Sequence, residues 1–351
     1  MWEENVRRVI PYVAGEQPKD KNVIKLNTNE CPYPPAPGVE QAAKEMDVDS
    51  LRLYPDTEST ALTEALASYY GVDPDQVFVG VGSDDVLSMC FLTFFDGKEP
   101  VLFPDITYSF YDVWAKLYRI PFRTVPLKED WTLDVEGFKA PNGGIIFPNP
   151  NAPTAVYEDL SVVEEILQAN PDSIVIVDEA YIDFGGSSAL PLLKKYSNLL
   201  VVQTFSKSRS MAGLRIGFCI GSKEMIKCLN DVKFSVNSYT MNMPSQALGV
   251  IAVEDDAYFR ETTGKIIRTR ERVKEELAAI GFSFTDSKTN FLFATHRSVP
   301  AKEIFTYLRE RNIYVRFWDK PRIGNRLRIT IGTDAQMDTL IETLKGMPGI
   351  C

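Results

Sequence analysis

The chain has 351 residues, which at roughly 150 residues per domain suggests about two domains. With 44% hydrophobic and 25% charged residues, its composition is that of a globular protein with a large core. This excludes a disordered tail, a fibrous protein and a small disulfide scaffold. The formal net charge of −10 argues against nucleic-acid binding, unless one face of the protein is locally basic.

The first two thirds of the chain predict an arm followed by an α/β domain. Residues 1–35 are polar and punctuated by prolines, so we expect an extended arm there. From about residue 40, short apolar runs alternate with amphipathic stretches, which is typical of a mostly parallel sheet flanked by helices. Strands are predicted at 77–79, 100–103, 144–147, 173–177, 199–203 and 216–220, and helices at 60–70, 85–95, 108–117, 160–169 and 223–230. We assign residues 36–255 to this large domain.

The remaining third has a different order of elements. A long helical stretch, with a break, is predicted from Pro244 to Ile280 and ends at Gly281. Strands are then predicted at 282–284, 290–294, 313–317 and 326–331, and helices at 301–311 and 335–345. This pattern predicts a second, smaller α+β domain over residues 256–351.

The cysteine and histidine content restricts the chemistry. The five cysteines form no C-x-x-C pair and His296 is the one histidine, so we predict no metal site and free thiols in a reducing compartment. No signal-peptide pattern is visible, and no apolar run approaches the roughly 20 residues of a membrane helix, which predicts a cytoplasmic protein without a membrane partner. We expect His296 at the surface, which leaves proton transfer to lysine, tyrosine or acidic side chains.

A glycine-containing turn follows the first predicted strand of the large domain. Gly80 and Gly82 allow close approach of the backbone, and Ser83 is placed to cap the next helix, so the free N–H groups could hold an anion. Asp85 stands where a dinucleotide fingerprint has its last glycine, and no strand-ending acid follows about 20 residues later, so the case for a dinucleotide site is weak. An ordinary strand–turn–helix connection explains this segment equally well.

An acid and a lysine follow two other predicted strands, at the edge of the sheet where α/β proteins bind ligands. Asp178 follows 173–177, and Lys207 follows 199–203 among hydroxyl and arginine neighbours that suit a phosphate. Taken singly, Asp178 could form a helix cap or a structural ion pair, and Lys207 could be solvated. Together with an anion site they match the needs of pyridoxal phosphate, which are a Schiff-base lysine, an acid at the pyridinium nitrogen and a phosphate site.

Seven motifs in chain order carry a resemblance to a known family. They are LNTNE at 26–30, LYPD at 53–56, GSDD at 82–85, PNAPT at 150–154, VDEAY at 177–181, TFSK at 204–207 with GLR at 213–215, and LRIT at 327–330. On these motifs the chain resembles the fold-type I pyridoxal-phosphate aminotransferases over nearly its full length. The resemblance implies an α/β large domain with a mostly parallel seven-stranded sheet, a smaller α+β domain, and a homodimer with shared active sites.

The resemblance also implies roles for individual residues. Lys207 is expected to bond the cofactor, Asp178 to pair with its ring nitrogen, and Tyr181 to hydrogen-bond its phenolic oxygen. Tyr108 is expected to stack on the ring, with Tyr111 as the alternative. The remaining cofactor-binding residues are Ser83, Asp84, Ser206 and Arg215 at the phosphate, Tyr54 reaching the phosphate from the other subunit, and Asn151. Substrate binding is implied for Tyr12, Asn27, Arg316 and Arg328, because two arginines suit a phosphate and a carboxylate.

The chain departs from the family pattern at one motif. An asparagine directly before Pro-Thr-Gly usually contacts the phenolic oxygen of the cofactor, but here that position is Ala152 and the asparagine is Asn151, one residue earlier. Ala155 stands where glycine is usual. Either Asn151 shifts into the role or Tyr181 acts without it.

Within the family, the sequence is most similar to the histidinol-phosphate group. This implies transfer of an amino group from histidinol phosphate to 2-oxoglutarate, giving imidazole acetol phosphate and glutamate, in histidine biosynthesis. An aromatic amino acid aminotransferase and a threonine-phosphate decarboxylase-like enzyme of the same fold are the alternatives. A DNA-reading regulator would need an added helix-turn-helix segment or a basic patch, and neither is visible.

Overall fold

The computed structural model describes residues 1–20 and 22–350. Lys21 of the predicted arm and Cys351, one of the predicted free thiols, lie outside the described residues. The strands are β1 (Ile24–Leu26), β2 (Val77–Val81), β3 (Val101–Pro104), β4 (Phe122–Val125), β5 (Gly144–Pro148), β6 (Val175–Asp178), β7 (Leu199–Thr204), β8 (Ile216–Ile220), β9 (Phe282–Phe284), β10 (Phe291–His296), β11 (Ile313–Phe317) and β12 (Leu327–Thr330).

The helices separate these strands much as the sequence predicts. They are α1 (Pro37–Lys44), α2 (Thr60–Tyr70), α3 (Ser83–Phe94), α4 (Tyr111–Tyr118), α5 (Val135–Phe138), α6 (Leu160–Ala169), α7 (Lys223–Val236), α8 (Met243–Glu254), α9 (Asp256–Ala279), α10 (Ala301–Arg309) and α11 (Asp334–Lys345). The predicted break in the long helical stretch falls at Asp255, whose side chain accepts a hydrogen bond from the Tyr258 N–H and so caps α9.

Seven strands form the large sheet in the order β2-β8-β7-β6-β5-β3-β4. Every neighbouring pair is parallel except those made by β8, which runs antiparallel to both β2 and β7. The central strands β5, β6 and β7 are buried along their whole length, because helices cover both faces of the sheet. The predicted mostly parallel seven-stranded sheet is thus confirmed.

A second sheet contains five strands in the order β1-β11-β12-β10-β9. Strand β1 comes from the segment predicted as an arm, and it pairs in parallel with β11 through Ile24 and Ile313. Its three residues are too few to show a strand pattern in a proline-rich segment. Strand β4 was also missed, because it lies at the edge of the large sheet and two of its four residues are exposed.

His296 corrects one expectation. The side chain is 4% exposed, not at the surface, and its ring lies edge-on to Phe282. It is buried at low cost because both ring nitrogens have partners: Nε2 lies 2.9 Å from the Ile280 carbonyl oxygen, and Nδ1 accepts from the Val299 N–H. The ring therefore has a structural role.

Three further features of the described residues restrict the chemistry and the class of protein. Residues 1–20 and 22–350 contain no group of three or more His, Cys, Asp or Glu side chains placed to hold a metal ion. Cys31, Cys90, Cys219 and Cys228 are free thiols. None of the helices in these ranges combines the length and the apolar character needed to span a bilayer.

Candidate active site

A cavity of about 730 Å³ opens where the carboxyl ends of the large-sheet strands face the second sheet. Nine of the sequence-predicted site residues line it: Tyr12, Asn27, Asp84, Tyr108, Tyr181, Lys207, Arg215, Arg316 and Arg328. Asp178 and Ser206 lie behind this wall and contact lining residues or their neighbours. The structure thus brings together residues that are far apart in the sequence, from the arm to the last strand.

Lys207 reaches the cavity from the turn that follows β7. Its amine lies 3.1 Å from the Thr28 carbonyl oxygen and 5.8 Å from the centroid of the Tyr181 ring. Among the described residues, it forms no ion pair with a carboxylate. The side chain therefore presents a primary amine to the cavity, held by a single carbonyl.

Asp178 ends β6 and is fully buried. Its Oδ2 accepts from the Tyr111 hydroxyl at 2.9 Å and its Oδ1 accepts from the Ala180 N–H at 3.2 Å. Burial raises the pKa of Asp178 to about 6, although the Tyr111 hydrogen bond favours the charged form. A carboxylate so placed would be stabilised by a protonated nitrogen beside it.

This buried carboxyl predicts a pH-dependent stability for the cofactor-free protein. The folded-state pKa of about 6 lies above the ordinary 3.8, so the folded protein holds a proton that the unfolded chain has lost. The free energy of unfolding should therefore fall as pH rises from 4 to 7, with a loss of about 3 kcal/mol from this group. Denaturant unfolding at several pH values should show that the free energy of unfolding falls less between pH 4 and 7 in Asp178→Asn than in the wild type.

Glu179 provides the matched control for that experiment. Its carboxyl is also buried, and burial raises its pKa to about 7. Glu179→Gln should remove its own share of the pH dependence and leave the share of Asp178 in place. Equal pH slopes for the wild type and Asp178→Asn would contradict the prediction.

An anion site lies at the start of α3. Gly82 has a positive φ of 84°, and a Cβ there would stand 2.3 Å from the Arg215 guanidinium, so only glycine lets this arginine approach the helix start. Arg215 pairs with the Asp84 carboxylate at 3.0 Å and donates to Ser206 Oγ at 3.3 Å. Ser83 is the first residue of α3, where backbone N–H groups lack intrahelical acceptors.

Two tyrosines lie close together on one side of the cavity. The Tyr108 hydroxyl donates to Asp84 Oδ1 at 2.6 Å, and its ring lines the cavity. Burial, with the nearby Asp84 charge, raises the pKa of Tyr108. Tyr111 instead lies in the core behind Tyr108, with its ring edge-on to that of Tyr108 and its hydroxyl on Asp178. Tyr108 is therefore the ring available for stacking.

The segment around the altered motif keeps its asparagine out of the cavity. Asn151 donates from Nδ2 to the Ile106 carbonyl oxygen at 3.0 Å and to Thr154 Oγ1 at 2.9 Å, whereas Ala152 forms part of the cavity wall. Ala155 has a positive φ of 64°, the backbone region that explains why glycine is usual there. The hydroxyl of Tyr181 instead receives a hydrogen bond from Asn29.

Two arginines face each other at the other end of the cavity. Arg316 and Arg328 are direct partners across β11 and β12, and both guanidinium groups lie 5.3 Å from the ring of Trp318. Arg328 donates to the Asn27 carbonyl oxygen at 2.8 Å, and burial lowers its pKa. Within the described ranges neither arginine has a carboxylate partner, so this end of the cavity favours anions.

Residues of the arm complete that end of the cavity. Tyr12 stacks on Phe110, with ring centroids 4.1 Å apart, and Arg316 lies near the Ala14 carbonyl oxygen. Tyr54, by contrast, does not line the cavity of its own chain. It is 79% exposed and packs against the Tyr239 ring with centroids 4.4 Å apart.

Two residues of the site, Asn29 and Trp318, were given no role from the sequence, and Tyr111 was named there only as an alternative stacking ring. Tyr111 holds Asp178, Asn29 holds Tyr181, and Trp318 lies against both arginines. Asn29 belongs to the LNTNE motif, so the motif itself pointed to it. For the others no local signal was available, because each contact joins segments that are distant in the sequence.

The residues present fit pyridoxal phosphate. Several buried polar atoms around the cavity have no hydrogen-bond partner among the described residues, including Thr107 Oγ1, Asn27 Oδ1 and Arg328 Nε. Among the described residues Asp178 is buried with no ion-pair partner, and the lack of a side chain at Gly82 lets the Arg215 guanidinium lie against the start of α3. Lys207 supplies the amine that an aldehyde needs. A phosphorylated, nitrogen-containing aromatic aldehyde meets all of these requirements.

Comparisons with known proteins agree with this geometry. A family model for aminotransferase class I and II matches residues 21–344. The histidinol-phosphate aminotransferase of Lactococcus lactis subsp. cremoris is 52% identical over 98% of this chain and 97% of its own length. That of Clostridium botulinum is 49% identical, with the same coverage of both chains.

Solved structures show the same fold. The histidinol-phosphate aminotransferase of Sinorhizobium meliloti, solved in complex with pyridoxal 5'-phosphate, superposes with a TM-score of 0.84 and 25% identity, over 92% of this chain and 91% of that one. Since the family model matches nearly the whole chain and relatives about half identical align from end to end, the chain belongs to the class I and II aminotransferase family.

Proposed function

We propose that this protein is a pyridoxal-phosphate-dependent aminotransferase that acts on histidinol phosphate and 2-oxoglutarate in histidine biosynthesis. The observation that carries the proposal is a single cavity lined by Lys207, by Arg215 and by the cross-strand pair of Arg316 and Arg328. The substrate is inferred from the similar enzymes, which are histidinol-phosphate aminotransferases.

The cofactor would be held by the residues that surround Lys207. Arg215, Ser206 and the start of α3 would bind its phosphate, Tyr108 would stack on its ring, and Asp178 would keep the proton on its ring nitrogen. When bound, pyridoxal phosphate supplies an electron sink for the electrons left on the substrate α-carbon.

Lys207 would act as the general base of the reaction. Its amine would take the proton from the α-carbon of the substrate and hold it within the cavity for return. The Thr28 carbonyl oxygen, 3.1 Å away, holds the amine at the cavity wall.

The paired arginines would bind the anionic ends of both substrates. Histidinol phosphate carries a phosphate and no carboxylate, whereas 2-oxoglutarate carries two carboxylates. Arg316 and Arg328, with Tyr12 and Asn27 beside them, present planar donors to either group. One site can thus serve both half-reactions.

The exposed surface around Tyr54 supports a homodimer. Large apolar side chains are exposed in the segment that precedes Tyr54 and around the end of α7, where the Tyr239 ring contacts Tyr54; they are Val48, Leu51, Leu53, Val236 and Tyr239. An exposed patch of this kind marks an interaction surface. We infer that a second copy of the chain covers it and that Tyr54 reaches the phosphate site of that copy.

We also retain the three-part division into residues 1–35, 36–255 and 256–351, and a cytoplasmic location. The large and small sheets, which meet at the cavity, support the division. The free thiols of the four described cysteines support a reducing compartment.

An absorbance spectrum of the cofactor-loaded protein tests the proposed function. We expect a visible band that disappears when histidinol phosphate alone is added and returns when 2-oxoglutarate follows. Phenylalanine and threonine phosphate, added in the same way, test the two alternatives. A band that responds to one of these and not to histidinol phosphate would overturn the substrate, and no band at all would overturn the cofactor.

Mixing two inactive variants tests the shared active sites. Lys207→Ala and Tyr54→Ala should each lower activity strongly, but a mixed dimer contains one site with both residues intact. Co-expression followed by purification through two different tags should therefore restore activity to about half of the wild-type value per mixed dimer, since subunits of a C₂ dimer exchange identical surfaces. A mixed dimer that stays inactive would show that Tyr54 does not serve the partner's site.

A further inference from the structure

Thr330, Asn29 and Tyr181 are joined by a series of hydrogen bonds, and the donor and the acceptor of each bond can be assigned. The N–H of Asn29 donates to Thr330 Oγ1 at 3.1 Å, so the single hydroxyl hydrogen of Thr330 is free to go to Asn29 Oδ1, 3.0 Å away. With its oxygen occupied, the carboxamide of Asn29 donates from Nδ2 to the Tyr181 hydroxyl oxygen at 2.9 Å.

The direction of these hydrogen bonds determines where the hydroxyl hydrogen of Tyr181 can point. Its oxygen accepts from Asn29, so its own hydrogen must point elsewhere. Within residues 1–20 and 22–350 that hydroxyl has no acceptor, and Tyr181 lines the cavity close to Lys207. The hydrogen is therefore available to a ligand in the cavity.

The surroundings of Asn29 hold its side chain in the orientation that reaches Tyr181. The residue is 1% exposed, and the Asn290 side chain donates to its carbonyl oxygen at 3.0 Å. Its φ of 57° lies in the left-handed region, which asparagine adopts more readily than most residues. Among the described residues no other carboxamide contacts the Tyr181 hydroxyl, and Asn151 donates instead to Ile106 and Thr154.

We propose that Asn29 is a positioning residue that directs the Tyr181 hydroxyl hydrogen into the cavity, toward the phenolic oxygen of pyridoxal phosphate. The inference rests on the proposed function. The donated hydrogen offsets negative charge on that oxygen, and this charge in turn stabilises a proton on the Lys207 nitrogen that is bonded to the cofactor. Asn29 thus sets the protonation of that nitrogen through Tyr181.

A pH titration of the visible band in the cofactor-loaded protein tests the proposal without measuring activity. Asn29→Gly removes the side chain, stays neutral and tolerates the positive φ. We expect the midpoint of the titration to rise by about 0.5–1 pH unit, the size of one hydrogen bond. The charged neighbours Lys207, Asp178 and Arg328 are the same in this variant.

A double-mutant cycle separates action through Tyr181 from a general disturbance. Tyr181→Phe should raise the midpoint by itself, and Asn29→Gly should add nothing in that background. Thr330→Val keeps the side chains of Asn29 and Tyr181 but removes the hydroxyl that holds the Asn29 carboxamide. It should shift the midpoint in the same direction as Asn29→Gly. This variant also tests the proposal if Asn29→Gly does not fold. Asn170→Ala is the matched control, since it removes a buried carboxamide that donates to the Phe138 and Ile166 carbonyl oxygens and does not line the cavity. It should lower the melting temperature and leave the midpoint unchanged.

The outcomes distinguish this inference from the function beneath it. A wild-type protein with no visible band would overturn the proposed function itself. If the wild type shows the band and Asn29→Gly keeps its midpoint, the role of Asn29 is wrong while the function stands. An equal shift for Asn29→Gly with and without the Tyr181 hydroxyl would also overturn it, because the effect would not pass through that group.

Discussion

Replacement of Lys207 by alanine is expected to abolish transamination. The amine at this position is both the group that bonds the cofactor and the base that moves the substrate α-proton. The base alone contributes about 10²–10⁴-fold to a rate, and loss of the covalent route adds to this. Single-turnover absorbance with histidinol phosphate should show no conversion in the variant over many wild-type turnovers.

Cofactor binding separates a chemical defect from a structural one. Arg215, Ser206, Tyr108 and Asp178 are untouched in the variant, so pyridoxal phosphate should still bind, without a covalent bond. Borohydride reduction followed by peptide mass spectrometry should label Lys207 in the wild type and no residue in the variant. Lys227→Ala, at an exposed ion pair on α7, is the control and should keep full activity. Substantial residual transamination by Lys207→Ala would refute the assignment.

Replacement of Asp178 by asparagine is expected to lower kcat by on the order of 10³-fold. The carboxylate is buried at the end of β6, where its charge can be stabilised by the proton of the cofactor ring nitrogen. An asparagine of the same shape has one acceptor oxygen in place of two, so it keeps the hydrogen bond from Tyr111 only by losing the one from the Ala180 N–H, and it cannot hold that proton. The ring therefore becomes a weaker electron sink. Rapid-mixing absorbance of each half-reaction measures the loss.

Tyr111, the hydrogen-bond partner of Asp178, provides the control for the loss of kcat in Asp178→Asn. Tyr111→Phe removes the hydroxyl that donates to Oδ2 and leaves the carboxylate in place. It should reduce kcat far less than Asp178→Asn, because the charge that faces the ring nitrogen remains. A comparable loss in both variants would mean that the packing around Asp178, and not its charge, limits the rate.

The catalytic end of the site was predictable because its residues follow buried strands directly. Asp178 and Lys207 each come shortly after an apolar run that is typical of a central strand, and parallel strands place their carboxyl ends at one edge. The six strands predicted in the large domain are confirmed for the same reason. A break in the long helical stretch was also predicted, and the structure places it at Asp255.

What the sequence could not supply were contacts between distant segments. The bond from Tyr111 to Asp178 and that from Asn29 to Tyr181 each depend on side chains brought together by the fold. The position of His296 was wrong because a histidine with two backbone partners can be buried without a sequence signature. Strand β1 was missed because its stability comes from a partner strand and not from its own three residues.

That same strand sets the order in which the site can form during synthesis. Ile24 pairs with Ile313, and the residues just after β1 supply the carbonyl that holds Lys207 and the carboxamide that holds Tyr181. Residues 24–30 must therefore wait until residues 313–317 have been synthesised, while the large sheet between them can already assemble. The nascent chain can thus form the scaffold of the large sheet before the two segments of the site are joined.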